Sequence, residues 1–441
     1  NLEARYIDKF LHMKVNMAEK YTFKIYIAVC MVCLSFFQSC NSEKESHVNL
    51  DPAPLNQILD NYVNDGTWPF LYSKIEDGLT GKVVYEHLAI NREFFPNLFI
   101  DGNTWMRIWS MSKLITITIA MDLVEDGLIT LKDPVANYIP EFNNLMVAID
   151  KDGKSIASSR LTNFDCPHDL IESDSIMIIN HLLNHRAGFY YALTSSKCLN
   201  LQIASKKILN SKNGEELIEI LSSLPLIQQP GESYFYGLNT TVLGLVLERA
   251  TGKSLNDLFR ERIGDAYGIK GLSYVKPNDI KLIPGYTGRD GVLREVRDGE
   301  LDIFGGDVPG YYPEDKLFLG GEGMLGTANG YIEFMRYLFF KNQDSFLNKN
   351  TIKMMFSKPN VEKNDYGYNT GFAMYLTSKT HEYEKDILRV GGYEKTGSWV
   401  DRKNNLIGVL FSQANETRDK EGLANRMEQD FKKELYRQLS K

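Results

Sequence analysis

The chain has 441 residues, with 50 Lys and Arg against 57 Asp and Glu and a formal charge of −7. That balance lacks the basic excess of a nucleic-acid footprint, so no nucleic-acid partner is expected. An apolar share of 43% suffices for one large core or two modest ones.

Lys20 and Lys24 precede the apolar stretch 25–37, "IYIAVCMVCLSFF". It is shorter than the roughly 20 residues a spanning helix needs, but suits the apolar core of a signal peptide. The chain opens on Asn1, and the natural start is expected at Met13 or Met17. Ser39 directly before Cys40 resembles the cleavage box of a bacterial lipoprotein, whose cysteine carries lipid; Phe37 stands where that box usually has Leu. The plainer alternative is a buried helix, against which the polar run "QSCNSEKES" argues. The expectation is a signal peptide over 1–40 and a tether over 41–52, leaving 53–441 to fold. The product would be exported and lipid-anchored in a bacterial cell envelope, in the periplasm or at the cell surface. Cys166 and Cys198 remain after export and could pair in an oxidising compartment. Two buried free thiols are the commoner outcome for such a pair, and are expected here. The histidines show no ligand spacing such as HExxH, so neither a metal nor another cofactor is expected.

In chain order, "PLNQILDNYV" puts Leu55, Ile58, Leu59, Tyr62 and Val63 on one helical face. "WPFLYSKIEDGLTGKVVYEHLAI" reads as two strands joined by a turn at Asp77-Gly78 and Gly81. A helix-rich region follows from about 110 to 270, then turns and short strands to about 300. The tail carries strands in "TGFAMYL", "DILRVGGY", "SWVD" and "LIGVLFSQ". It closes on an amphipathic helix through Met427, Phe431 and Leu435. Strands from both ends enclosing helices predict one sheet assembled from distant segments.

The chain holds two Ser-x-x-Lys spacings, Ser110/Lys113 and Ser273/Lys276, about the number chance supplies. Pro277, Asn278 and Asp279 stop any helix after the second pair. From Ser110 to Gly127 there is neither Gly nor Pro. "ITITI" (115–119) alternates like a strand, but the length of the run favours a helix ending at Gly127. Ser110 and Lys113 then share a face on a helix apolar nearly all round, which predicts burial. Read locally, Lys113 could equally reach out of the core to solvent.

"RIWSMSKLIT" resembles the nucleophile motif of the serine β-lactamase and penicillin-binding-protein superfamily, in its class C-like branch of esterases, D-aminopeptidases and amide hydrolases. "LVEDGLITLKDPVANYIPEF", "HLLNHRAGF", "GESYFYGLNTTVLGLVLERATGKSL", "LGGEGMLGTANGYIEFM" and "GGYEKTGSWVDRKNNLIGVLFSQ" resemble further family segments, in family order from about 70 to 415. The resemblance implies an α+β sandwich. Its antiparallel sheet comes from about 66–100 and 320–441, with a helical region over about 110–315, together a serine hydrolase domain over 53–441.

It also implies roles. Ser110 is the expected nucleophile, forming an acyl-enzyme. Lys113 and Tyr236 are its expected proton-handling partners, since both side-chain types hold their protons at neutral pH and one must activate the other. Tyr234 competes for the tyrosine role. The family pattern Tyr-x-Asn is stretched here to Tyr236-Gly237-Leu238-Asn239, leaving Asn239 a candidate for orienting Lys113 or substrate. For the third motif, Lys395-Thr396-Gly397 matches literally but reads as a hairpin turn. Val390-Gly391-Gly392 is favoured as the substrate strand, with the N–H groups of Ser110 and Tyr393 as oxyanion donors. Val390 in place of a lysine points away from carboxylate-bearing β-lactams, although Arg389 is adjacent. The expected substrate is a small-molecule or peptide-like ester or amide. A β-lactamase or D-Ala-D-Ala carboxypeptidase, and a non-catalytic scaffold on the same fold, are the alternatives.

Overall fold

The computed structural model describes residues 48–158, 168–301, 311–312, 314–341, 345–356, 362–363, 369–372, 375–376, 387–415 and 426–440. The expected signal peptide, Cys40, most of the tether and Cys166 lie outside them. Helix α1 (Pro52–Asn64) starts where the Asp51 side chain accepts from the Ala53 N–H and Pro52 presets the first turn. It buries Leu55, Leu59 and Val63. Strands β1 (Phe70–Asp77) and β2 (Val83–Ile90) form the expected hairpin.

Helix α2 (Ser112–Glu125) takes in the alternating "ITITI" segment. Every residue from Ser112 to Met121 is buried, so alternation carried no face information: both faces of the helix are covered. Gly127, at φ 71°, ends it. Helices α3 (Asn239–Thr251) and α4 (Ala328–Phe339) follow. Strands β3 (Glu362–Lys363), β4 (Asn369–Thr370), β5 (Tyr375–Leu376), β6 (Ile387–Gly391), β7 (Gly397–Asp401) and β8 (Leu406–Phe411) lead to helix α5 (Arg426–Leu439).

The main sheet is antiparallel, in the order β3-β4-β5-β6-β7-β8-β1-β2. The early hairpin thus closes onto the late strands, with Tyr72 opposite Phe411. Side chains alternate across a strand, and β1 shows where its two faces go. Lys74 and Glu76 reach Asn329 and Arg336 of α4. Ile75 lies opposite Tyr85, whose ring packs on Phe431 of α5. Helices cover both faces, which is why all of β1 is buried, charged residues included. Among the described helices none is long and apolar enough to cross a membrane.

One expectation needs revision and one reading of the sequence holds. Cys198 is disulfide-bonded, not a free thiol. The Ser273/Lys276 pair has no shared geometry: Ser273 Oγ bonds the Val275 carbonyl and Lys276 Nζ the Ile280 carbonyl.

Candidate active site

Ser110 sits in a short 3₁₀ turn (Trp109–Met111) feeding α2. Trp109 holds φ 46°, a left-handed conformation that costs a bulky side chain roughly 1–3 kcal/mol. Its surroundings hold it there. The indole N–H donates to Glu394 Oε2 at 2.8 Å, and the ring meets Tyr393 edge-on at 5.4 Å. Glu394 is fully buried. It takes the Arg107 guanidinium through both oxygens, at 2.5 and 2.9 Å, the geometry that makes such pairs strong and directional.

Residues 392–396 form the turn between β6 and β7. The Gly392 N–H donates to the Thr396 carbonyl at 2.7 Å, and Lys395 N–H to the Gly392 carbonyl at 3.0 Å. Glu394, Lys395 and Thr396 therefore occupy the turn, while Val390 and Gly391 pair with Ser398 and Gly397 across the strands. Of the favoured motif, Val390 and Gly391 lie on the strand as expected, whereas Gly392 falls in the turn because its N–H closes onto the Thr396 carbonyl. A side chain on Gly392 would come within 2.5 Å of the Ile108 carbonyl oxygen, so glycine lets the turn lie directly on the chain leading into Ser110.

Ser110, Lys113 and Tyr236 converge. Tyr236 Oη donates to Ser110 Oγ at 2.8 Å, and Lys113 Nζ lies 3.2 Å from that oxygen and 5.1 Å from the Tyr236 ring centre. Lys113 does not reach solvent; it is buried. Burial alone pushes its ammonium down, but neighbouring Glu322 and Tyr236 outweigh this and hold it above the ordinary lysine value. Tyr234 instead lies against His185, with ring centres 5.8 Å apart.

Asn239 does not take the orienting role expected of it. Its amide oxygen accepts from the Ala187 N–H at 3.1 Å, and its NH₂ faces His185 Nδ1 and the Phe189 carbonyl, each at 3.3 Å. It anchors the 185–189 loop. The cause is local: Gly237 presses so closely on the Phe189 carbonyl and Tyr190 Cα that no side chain fits. The chain then turns into α3 with Asn239 facing that loop. His185 stacks on Tyr236 at 4.8 Å, and burial pushes its imidazole down to about 3, leaving it neutral.

Three partners of Lys113 were not anticipated. Its Nζ donates to Tyr191 Oη at 3.0 Å, the Gly321 carbonyl at 2.8 Å and Glu322 Oε1 at 3.1 Å. Glu322 also accepts from Tyr191 Oη through Oε1 and from Thr241 Oγ1 at 2.7 Å through Oε2. One signal was available: Glu322 is a single acid within the glycine-rich, apolar "LGGEGML", and a buried lysine needs a counter-charge.

The family model described as Beta-lactamase matches residues 77–430. The chain belongs to the Beta-lactamase family. Similar proteins include ML-236A carboxylate methylbutanoyltransferase mlcH of Penicillium citrinum, 28% identical over 59% of this chain and 57% of that protein. Lovastatin esterase of Penicillium rubens is 26% identical over 75% and 84% of the respective chains. The chain thus spans little more than half the length of the first of these. Among solved structures, unliganded simvastatin synthase (LovD) from Aspergillus terreus shares the fold, with TM-score 0.67 and 20% identity over 88% of this chain and 99% of that one. In this Beta-lactamase family member the segments forming the site lie within the matched span, from Arg107 to the turn at 392–396.

Proposed function

We propose that this chain is a serine hydrolase that cleaves an ester or amide bond through an acyl-enzyme. The observation that carries the reading is the placement of Ser110 Oγ between Tyr236 Oη and Lys113 Nζ, at 2.8 and 3.2 Å. Ser110 Oγ attacks the substrate carbonyl and passes its proton to Tyr236, which releases its own to the departing alcohol or amine. The N–H groups of Ser110 and Tyr393 receive the carbonyl oxygen as it gains charge, an arrangement worth about 3–4 kcal/mol per donor. Water then attacks the acyl group by the same relay, and Ser110 regains its proton.

The substrate is an ester or amide without a carboxylate beside the scissile bond. Val390 stands where the family resemblance places a lysine, and Arg389 pairs with Glu428 of α5 at 3.4 Å. The esterase and acyltransferase names of the relatives support the esterase-like, class C-like side of the family. Lys20, Lys24, the apolar 25–37 stretch and Ser39-Cys40 support a lipoprotein anchored in a bacterial cell envelope. Cys40→Ser would then release the protein from the membrane fraction.

Incubation with a fluorophosphonate, a short acyl ester and penicillin, followed by adduct mapping by mass spectrometry, tests the activity. A Ser110 adduct with ester turnover supports this reading. Penicillin acylation or turnover would point to a β-lactamase or D,D-peptidase, and absence of labelling to a non-catalytic scaffold.

A further inference from the structure

Lys113 Nζ faces four oxygens within 3.2 Å: Ser110 Oγ, Tyr191 Oη, the Gly321 carbonyl and Glu322 Oε1. The carbonyl and the carboxylate can only accept hydrogen bonds. Tyr191 gives its hydrogen to Glu322, so it too must accept from the amine. Three obligate acceptors match the three hydrogens of an ammonium, so Ser110 Oγ at 3.2 Å shares one of them and finds no lone pair on the nitrogen to take its proton. Glu322 is fully buried, and both its oxygens are engaged, by Lys113 and Tyr191 on one and by Thr241 on the other. With a donor on each oxygen and no solvent, this carboxyl group could not lose its cationic partner without a large cost.

We propose that Glu322 is a positioning residue that holds Lys113 as a permanent ammonium, so that the proton of Ser110 passes to Tyr236 and never to the lysine. The proposal rests on the hydrolase reading above for its catalytic meaning. Proton balance follows directly. As the bond from Ser110 Oγ to the carbonyl carbon forms, the Ser110 proton moves to Tyr236 Oη and the Tyr236 proton goes to the leaving group, while Lys113 keeps its three hydrogens throughout.

The groups around the ammonium agree with this assignment. Glu322 comes from the glycine-rich turn before α4, Tyr191 and His185 from the loop that follows the short helix Ile179–Leu183, and Tyr236 from the segment leading into α3. His185 is neutral and adds no competing charge. Tyr274 and Tyr311 lie near Glu322, and burial holds both phenols above the ordinary value, hence uncharged. The Arg107–Glu394 pair beside Trp109 is self-neutralising.

Two measurements test the proposal. In the unmodified protein labelled with ¹⁵N-lysine, the Lys113 Nζ resonance, assigned through Lys113→Met, should remain that of an ammonium beyond about pH 9. Titration to the neutral amine below about pH 8 would overturn the proposal. The second measurement is the pH profile of kcat/KM on a p-nitrophenyl ester. Glu322→Gln should move its alkaline midpoint down by about 1–3 units, whereas Glu322→Asp keeps the midpoint and lowers kcat. An unchanged midpoint in Glu322→Gln would overturn the proposal, because a purely structural role changes stability and not this profile. Should Glu322→Gln fail to fold, the resonance of the unmodified protein decides. A protein that leaves Ser110 unlabelled by fluorophosphonate would remove the hydrolase reading, and the Lys113 resonance would still report its charge.

Discussion

Gly392→Ala offers a test with its own control one residue away. An added methyl at Gly392 would lie 2.5 Å from the Ile108 carbonyl oxygen and would also meet Thr396 Oγ1. Thr396 can rotate; the Ile108 carbonyl cannot, because it belongs to the backbone leading into Trp109 and Ser110. An ordinary carbon–oxygen contact is about 3.3 Å, so the turn at 392–396 must retreat by about 0.8 Å. That retreat would part the Tyr393 N–H from the Ser110 N–H. Misplacement of about 1 Å costs on the order of 100-fold in rate, and it falls on an interaction made in the transition state. The expected result on a p-nitrophenyl ester is therefore kcat lower by about 10–100-fold with KM little changed. Thermal stability should also fall, by about 1–3 kcal/mol from overpacking. Gly391→Ala meets only the Thr396 carbonyl oxygen, at an ordinary 3.5 Å, and should stay within about twofold of the parent. A kcat for Gly392→Ala that matches Gly391→Ala would refute the claim that this turn supplies an oxyanion donor.

His185 is held neutral by burial, with its imidazole near 3 against about 6.5 when unfolded. The unfolded chain therefore binds the extra proton, so this contribution to stability is complete above about pH 6.5 and is lost as pH falls toward 3, a term on the order of 4–5 kcal/mol. Urea unfolding between pH 7 and 4 should show a shallower acid loss in His185→Asn; an identical slope would contradict the assignment. Asn239→Ala should lower the unfolding free energy by about 1–3 kcal/mol, since it strands the buried Ala187 N–H, while active-site titration of the folded fraction stays near one per chain. Arg389→Ala should leave the ratio of kcat/KM for neutral and carboxylate-bearing esters unchanged, because Arg389 faces Glu428; a changed ratio would place the guanidinium in the substrate site.

Much of the fold was readable because its strongest signals are local. The β1–β2 hairpin follows from its alternation and turn residues. Length identified α2 despite the alternation at 115–119, which burial on both faces made meaningless. The turn at 394–396 was legible from its own residues, against the literal Lys-Thr-Gly match. The site was legible only in part. Ser110 and Lys113 share one helical turn, but Glu322 meets Lys113 from 209 residues away, and no spacing rule reaches that far. Asn239 was misjudged because its motif carries one extra residue, and the close packing of Gly237 on Phe189 and Tyr190 decides which way the chain turns after it. Cys198 shows the limit of composition: a count of cysteines cannot tell a thiol from half a disulfide.

The central claim is that Ser110 carries the acyl group and Tyr236 carries its proton. Rapid mixing with p-nitrophenyl butyrate, acid quench and intact-mass measurement tests it most directly. The account predicts one butyryl group per chain on the Ser110 peptide, formed at least about 100-fold more slowly in Tyr236→Phe and not at all in Ser110→Ala. A butyryl group on another residue, or unimpaired acylation in Tyr236→Phe, would contradict it.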